Sequence, residues 1–181
     1  TIPFSIVGKM FVIEPGMAFG TGHHPTTRMC LTELEKLVTP GMKVMDVGTG
    51  SGILTIAAAK LGAGHVLALD IDPLAIEAAR ANVRANDLQR VVKVQRHALS
   101  LKDSSRSGFD LVVANLYTKV ILSIAPALMA QLVPQGNLIV SGIMADRAPE
   151  VERQLEAAGC TLLRMTREGD WAVLVGSKTG G

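Results

Sequence analysis

Residues 46–52 read Asp-Val-Gly-Thr-Gly-Ser-Gly, and Leu67-Ala68-Leu69-Asp70 follows after a helical stretch. This pairing restricts the chain more than any other feature. An apolar run through Val44, Met45 and Val47 enters glycines at alternate positions, Gly48, Gly50 and Gly52. Glycines let a backbone take positive φ and come close to a ligand. A second apolar run then ends in an acid, Asp70, which can accept hydrogen bonds from both hydroxyls of a ribose. Glycine loop and acid together predict a pocket for an adenosine-containing ligand, at the strand tips of a doubly wound α/β sheet.

The spacing narrows the ligand. Dinucleotide sites use G-x-G-x-x-G, with pyrophosphate on the helix N-terminus. Here the spacing is G-x-G-x-G, Ile53 stands where the longer motif needs glycine, and no basic residue lies between Val47 and Ala59. Asp46 also enters the loop, where a carboxylate disfavours phosphate and suits a cation. S-adenosylmethionine carries an ammonium and a sulfonium on its amino acid part. The loop from Asp46 to Gly52 is therefore read as binding that part, and Asp70, with Ile71 after it, as binding the nucleoside.

The rest of the chain fits one such domain. Hydrophobic residues make up 48 % and aromatics 3 %, so the core must be Val, Ile, Leu, Ala and Met. The pattern predicts a strand or hairpin within 5–13, a helix from 25 or 26 to 38, and strands at 43–47, 65–70, 91–95, 109–114 and 137–141. Helices are expected at 52–61, 73–85, 118–132 and 146–158, and a polar loop at 100–108. Two closing strands, 160–166 and 171–176, have no helix between them and should pair antiparallel. The expected architecture is a Rossmann-like seven-stranded sheet, helices on both faces, with a C-terminal antiparallel hairpin. Residues 1–40 form a flap loop and helix, and 41–181 the core of the single domain. Thr1 is not a natural start, which suits a piece of a longer protein.

A net charge of +2 makes no case for direct nucleic-acid binding. Arg80, Arg84, Arg90, Lys93 and Arg96 read as a solvated face. Cys30 and Cys160 lack metal spacing and read as reduced, buried thiols of a cytoplasmic protein. No run reaches membrane-spanning length. His23 and His24 have no Cys, Asp or Glu at ligand spacing, so no metal site is expected. They read as shaping the loop and capping the helix at Pro25. Trp171 reads as core. Tyr117 reads equally as acceptor-pocket lining or helix-start packing, and Asn115, from its position alone, equally as a strand-end turn residue or a site residue.

Four stretches carry a family likeness: residues 14–27 (Glu-Pro-Gly-Met-Ala-Phe-Gly-Thr-Gly-His-His-Pro-Thr-Thr), 46–54 with 60–63, Asp70-Ile71-Asp72-Pro73, and Val113-Ala114-Asn115-Leu116. On these the chain resembles the catalytic domain of the ribosomal protein L-eleven methyltransferase family. The resemblance implies S-adenosylmethionine as cofactor, S-adenosylhomocysteine as product, and N-methylation of a protein amine, with a ribosomal protein as partner. It places Thr27, Gly48, Asp70 and Asn115 at the cofactor, and Phe19 and Gly20 in a loop folded over it. Phe19 is left as either a mobile flap or a core plug. Asn115, with the carbonyl of Leu116, takes the catalytic position facing the methyl group. A small-molecule amine acceptor and a non-catalytic adenosyl-binding module remain as rival readings.

Overall fold

The computed structural model describes residues 2–6, 8–13, 24–106 and 108–180. A hairpin of β1 (Ile2–Ile6) and β2 (Lys9–Ile13) stands apart from the main sheet, and α1 (Pro25–Leu37) precedes it. Then come β3 (Lys43–Val47), α2 (Ile53–Lys60), β4 (His65–Asp70), α3 (Pro73–Ala85) and β5 (Val92–Arg96). The second half holds β6 (Phe109–Asn115), α4 (Thr118–Ala130), β7 (Leu132–Met144), α5 (Ala148–Ala157), β8 (Cys160–Glu168) and β9 (Trp171–Lys178).

The seven-stranded sheet has the order β5-β4-β3-β6-β7-β9-β8. Its first five strands run parallel, and β9 is antiparallel to both β7 and β8. The chain winds outward from β3 through β4 to β5, then crosses back to β6. The order therefore reverses between β3 and β6, and ligands of open α/β sheets bind in the crevice at such a point.

Alternation along each strand divides the core. Val44, Val66, Leu111, Val113 and Ile139 pack with Leu34 of α1 and Ile56 of α2. Met45, Val47, Val112, Leu138 and Val140 pack with Ile121 and Leu128 of α4 and Leu155 of α5. Both faces are apolar, as a parallel sheet covered on two sides requires.

Three stretches differ from the sequence reading. β7 starts at Leu132, through Val133-Pro134-Gln135-Gly136, and a register shift against β6 absorbs these turn-type residues. α4 stops at Ala130 but runs through Pro126. The polar loop at 100–108 contains a short 3-10 turn, Leu101–Arg106, so no α-helix covers the sheet between β5 and β6. No helix among the described residues is long and apolar enough to cross a membrane.

Candidate functional site

A cavity of about 410 Å³ opens at the C-terminal ends of β3, β4 and β6, where the strand order reverses. Gly48 and Gly50 form one wall, Asp70 and Asp72 a second, and Asn115, Leu116 and Tyr117 a third. His24, Thr26, Ala75, Gly142 and Trp171 complete it.

The glycine wall is shaped by sterics. Gly48 has φ +79°, and a Cβ there would overlap Leu116 Cδ2. Backbone N–H groups of Gly48 and Thr49 both donate to the Leu69 carbonyl, at 2.8 and 2.9 Å, folding the loop over the tip of β4. Gly50 N donates to Asp70 Oδ2 at 2.9 Å, and Asp72 N donates to Asp70 Oδ1 at 3.0 Å. Each oxygen of Asp70 is thus held by one donor. A carboxylate accepts about four hydrogen bonds, so Asp70 keeps capacity for a ligand's hydroxyls. Asp72 caps α3 by accepting from Leu74 N at 2.9 Å, with Pro73 at the first helical position.

Asn115 ends β6 beside Ser141 of β7, and Leu116 N donates to the Ser141 carbonyl at 3.0 Å. No described residue hydrogen-bonds the Asn115 side chain, so its amide is available at the cavity. Gly142, at φ +81°, makes room for it. A Cβ at 142 would overlap the Leu116 carbonyl oxygen and lie 2.9 Å from Asn115 Oδ1. His24 caps α1, its Nδ1 accepting from Thr26 N at 3.2 Å, and its ring meets Trp171 edge-on with centroids 5.0 Å apart. Trp171 is half-buried: it packs against the core, as expected, and also lines the cavity. Tyr117 is 75 % exposed at the rim, which removes helix-start packing as its main role.

Four of the expected site residues stand behind or beside this cavity. Asp46 does not face it. It is 1 % exposed, and its Oδ2 accepts from the Thr49 and Thr55 hydroxyls at 2.8 Å each. Burial, assisted by the charge of Asp70, raises its pKa to about 6. Its immediate contacts brace the glycine loop. Gly52 caps the start of α2 at φ +88°, and a Cβ there would lie 3.4 Å from Ala79 of α3. Ile71 is 66 % exposed outside the cavity wall. Thr27 is fully buried one residue round the helix from Thr26, which does line the wall. The Thr27 hydroxyl and Asp46 Oδ1 are buried without a partner among the described residues. Phe19, Gly20 and His23 lie outside the described residues.

Cys30 and Cys160 are free and buried, and burial pushes both thiols up, away from the reactive thiolate. Among the described residues no cluster of three or more His, Cys, Asp or Glu could hold a metal ion. The missed wall residues share one cause. His24, Thr26, Gly142 and Trp171 come from α1, β7 and β9, and only the assembled sheet carries them to the tips of β3 and β6.

Comparison with known proteins fits this geometry. A family model described as ribosomal protein L11 methyltransferase matches residues 8–179. A protein of Bacillus cytotoxicus with that name is 48 % identical over 174 residues, covering 96 % of this chain and 55 % of its own length. One from Chloroflexus aurantiacus is 45 % identical over 188 aligned residues, 92 % of this chain and 57 % of its own. The chain thus spans about half the length of the curated relatives it matches. The crystal structure of a ribosomal protein L11 methylase from Lactobacillus delbrueckii subsp. bulgaricus superposes with a TM-score of 0.84 at 37 % identity, over 92 % of this chain and 84 % of that one.

Proposed function

The chain belongs to the ribosomal protein L11 methyltransferase family, and from that premise we propose that it catalyses transfer of a methyl group from S-adenosylmethionine to amino groups of ribosomal protein L11, in the cytoplasm. The observation that carries this reading is the meeting of Gly48, Gly50, Asp70, Asn115 and Leu116 on one cavity at the switch point of the sheet.

The residues suit that cofactor. Asp70 has acceptor capacity for two ribose hydroxyls, and the glycine loop admits a close backbone approach. A cation bound at the loop would meet the field of buried Asp46. When bound, S-adenosylmethionine supplies an electrophilic methyl group on a positively charged sulfur. The protein's task is then mainly to position the amine. A lysine amine must be neutral to attack, which from a pKa of about 10.4 costs roughly 4–5 kcal/mol at pH 7. A neighbouring positive charge lowers that pKa. The side-chain carbonyl of Asn115 and the backbone carbonyl of Leu116 accept the amine hydrogens and aim its lone pair. Tyr117, exposed at the rim, contacts the acceptor protein.

Calorimetric titration with S-adenosylmethionine, S-adenosylhomocysteine and NAD tests the site. Wild type should bind the first two and not the third, and Asp70→Ala should lose both. Asn115→Ala should still bind the cofactor but transfer methyl groups to purified L11 roughly a hundredfold more slowly. Binding of NAD, or of neither adenosyl compound, would remove the methyltransferase reading. Cofactor binding without transfer to L11 would remove the acceptor assignment.

A further inference from the structure

A second cavity, of about 430 Å³, lies on the sheet face that the short β5–β6 crossover leaves uncovered. Side chains alternate across a strand, so the odd-numbered residues of β3, β4 and β5 share this face. Register sets Lys43 beside His65, and Lys93 beside Leu67. Met45, Leu67 and Phe109 give the cavity an apolar lining. Asp103 is the one carboxylate among its lining residues, and it is engaged by His97 Nε2 and Ser100 N, both at 2.9 Å. Neither the Lys43 nor the Lys93 ammonium forms an ion pair among the described residues, although the Lys43 backbone N–H donates to Asp110 Oδ2 at 2.8 Å. Lys43 Nζ lies over the Phe109 ring, 4.7 Å from its centre. Lys93, grouped by sequence with the arginines, is separated from them here. Arg80, Arg84 and Arg96 line a groove on the opposite face, against α3.

The lining also includes Gln131, which is wholly buried. Its Nε2 donates to the Ala127 carbonyl at 3.3 Å, but Oε1 meets no donor among the described residues. A buried acceptor without a donor is costly, and buried polar atoms are nearly always paired. The cavity therefore combines unpaired positive charge, an apolar lining and a buried acceptor, in the size range of small-molecule sites.

We propose that this cavity is a second binding site, for a small organic anion with an apolar ring-sized body. Lys43 and Lys93 hold its acidic group, Leu67 and Phe109 pack its body, and an N–H or O–H of the ligand donates to Gln131 Oε1. Anilinonaphthalene sulfonate has all three features and serves as the probe. It is titrated into the chain with S-adenosylhomocysteine present in excess, followed by fluorescence and by backbone amide shifts. The expected result is saturable binding at one site, with shifts centred on Leu67, Lys93 and His97. Lys93→Glu and Lys43→Gln should each weaken it about tenfold, as loss of a charge-assisted hydrogen bond does. Shifts centred on Gly48 and Asn115, wild-type affinity retained in both variants, or no saturable binding would each overturn the proposal. Lys93 is exposed on its strand, so its variant should fold even if Lys43→Gln does not.

Discussion

Position 142 requires glycine on two counts: its φ is +81°, and a methyl group there would collide with the Leu116 carbonyl. Gly142→Ala should displace the Asn115–Leu116 turn and slow methyl transfer by at least about tenfold. It should change S-adenosylhomocysteine affinity by less than about threefold, since Asp70, which takes the ribose, lies beyond β3 at the tip of β4. Single-turnover kinetics beside calorimetry separates the two effects. Asp46 carries a different signature. Its folded pKa, about 6, lies above its unfolded value of about 3.9. The folded state therefore holds the extra proton between these values, and stability falls as pH rises through that window. The full cost, on the order of 2–3 kcal/mol, is present above the folded pKa and absent below the unfolded one. Urea unfolding at pH 4 and pH 7 should show this loss in wild type and a smaller one in Asp46→Asn. Of the cavity, Gly48, Gly50 and Asp70 were legible because they follow the ends of apolar runs, whereas Asn115 came in through the family resemblance, its position alone reading equally as a turn. The burial of Asp46 was not legible, because a sequence shows that an acid enters a loop, not whether threonines turn it inward.

Helix α3 shows how an element's start can also build a site. Asp72 caps it, and the N–H of the same residue holds Asp70 Oδ1. Asp72→Ala should lower stability by about 1 kcal/mol, with Asp72→Asn restoring most of it. Urea denaturation of both variants checks this. That cap was readable from Asp-Pro alone, and β3, β4 and α3 lie at their expected bounds. β7 was not fully readable. Pro134, Gln135 and Gly136 have turn chemistry, yet the register shift between Phe109 and Leu111 lets the strand continue through them. Tertiary pairing overrides local propensity there.

At the scale of the whole molecule, the sequence implied parallel strands, helices on both faces and a closing hairpin, all of which the structure contains. It did not reveal that β9 would insert between β7 and β8, because chain order does not fix spatial order. Arg164 of β8 is paired with Glu33, which is 2 % exposed on α1, and Arg28 of α1 is paired with Glu168 of β8. These pairs fasten the late hairpin to the early helix. β9 has both edges hydrogen-bonded and begins with Trp171 at the cavity. A chain leaving the ribosome residue by residue therefore makes β8 before the strand that will hold it exists, while the flank of β7 waits unpaired. The seventh strand cannot close the sheet, nor Trp171 finish the wall beside His24, until β9 has emerged. The nascent protein completes its site only in this late step, and until then its exposed strand edges are open to pairing with other chains.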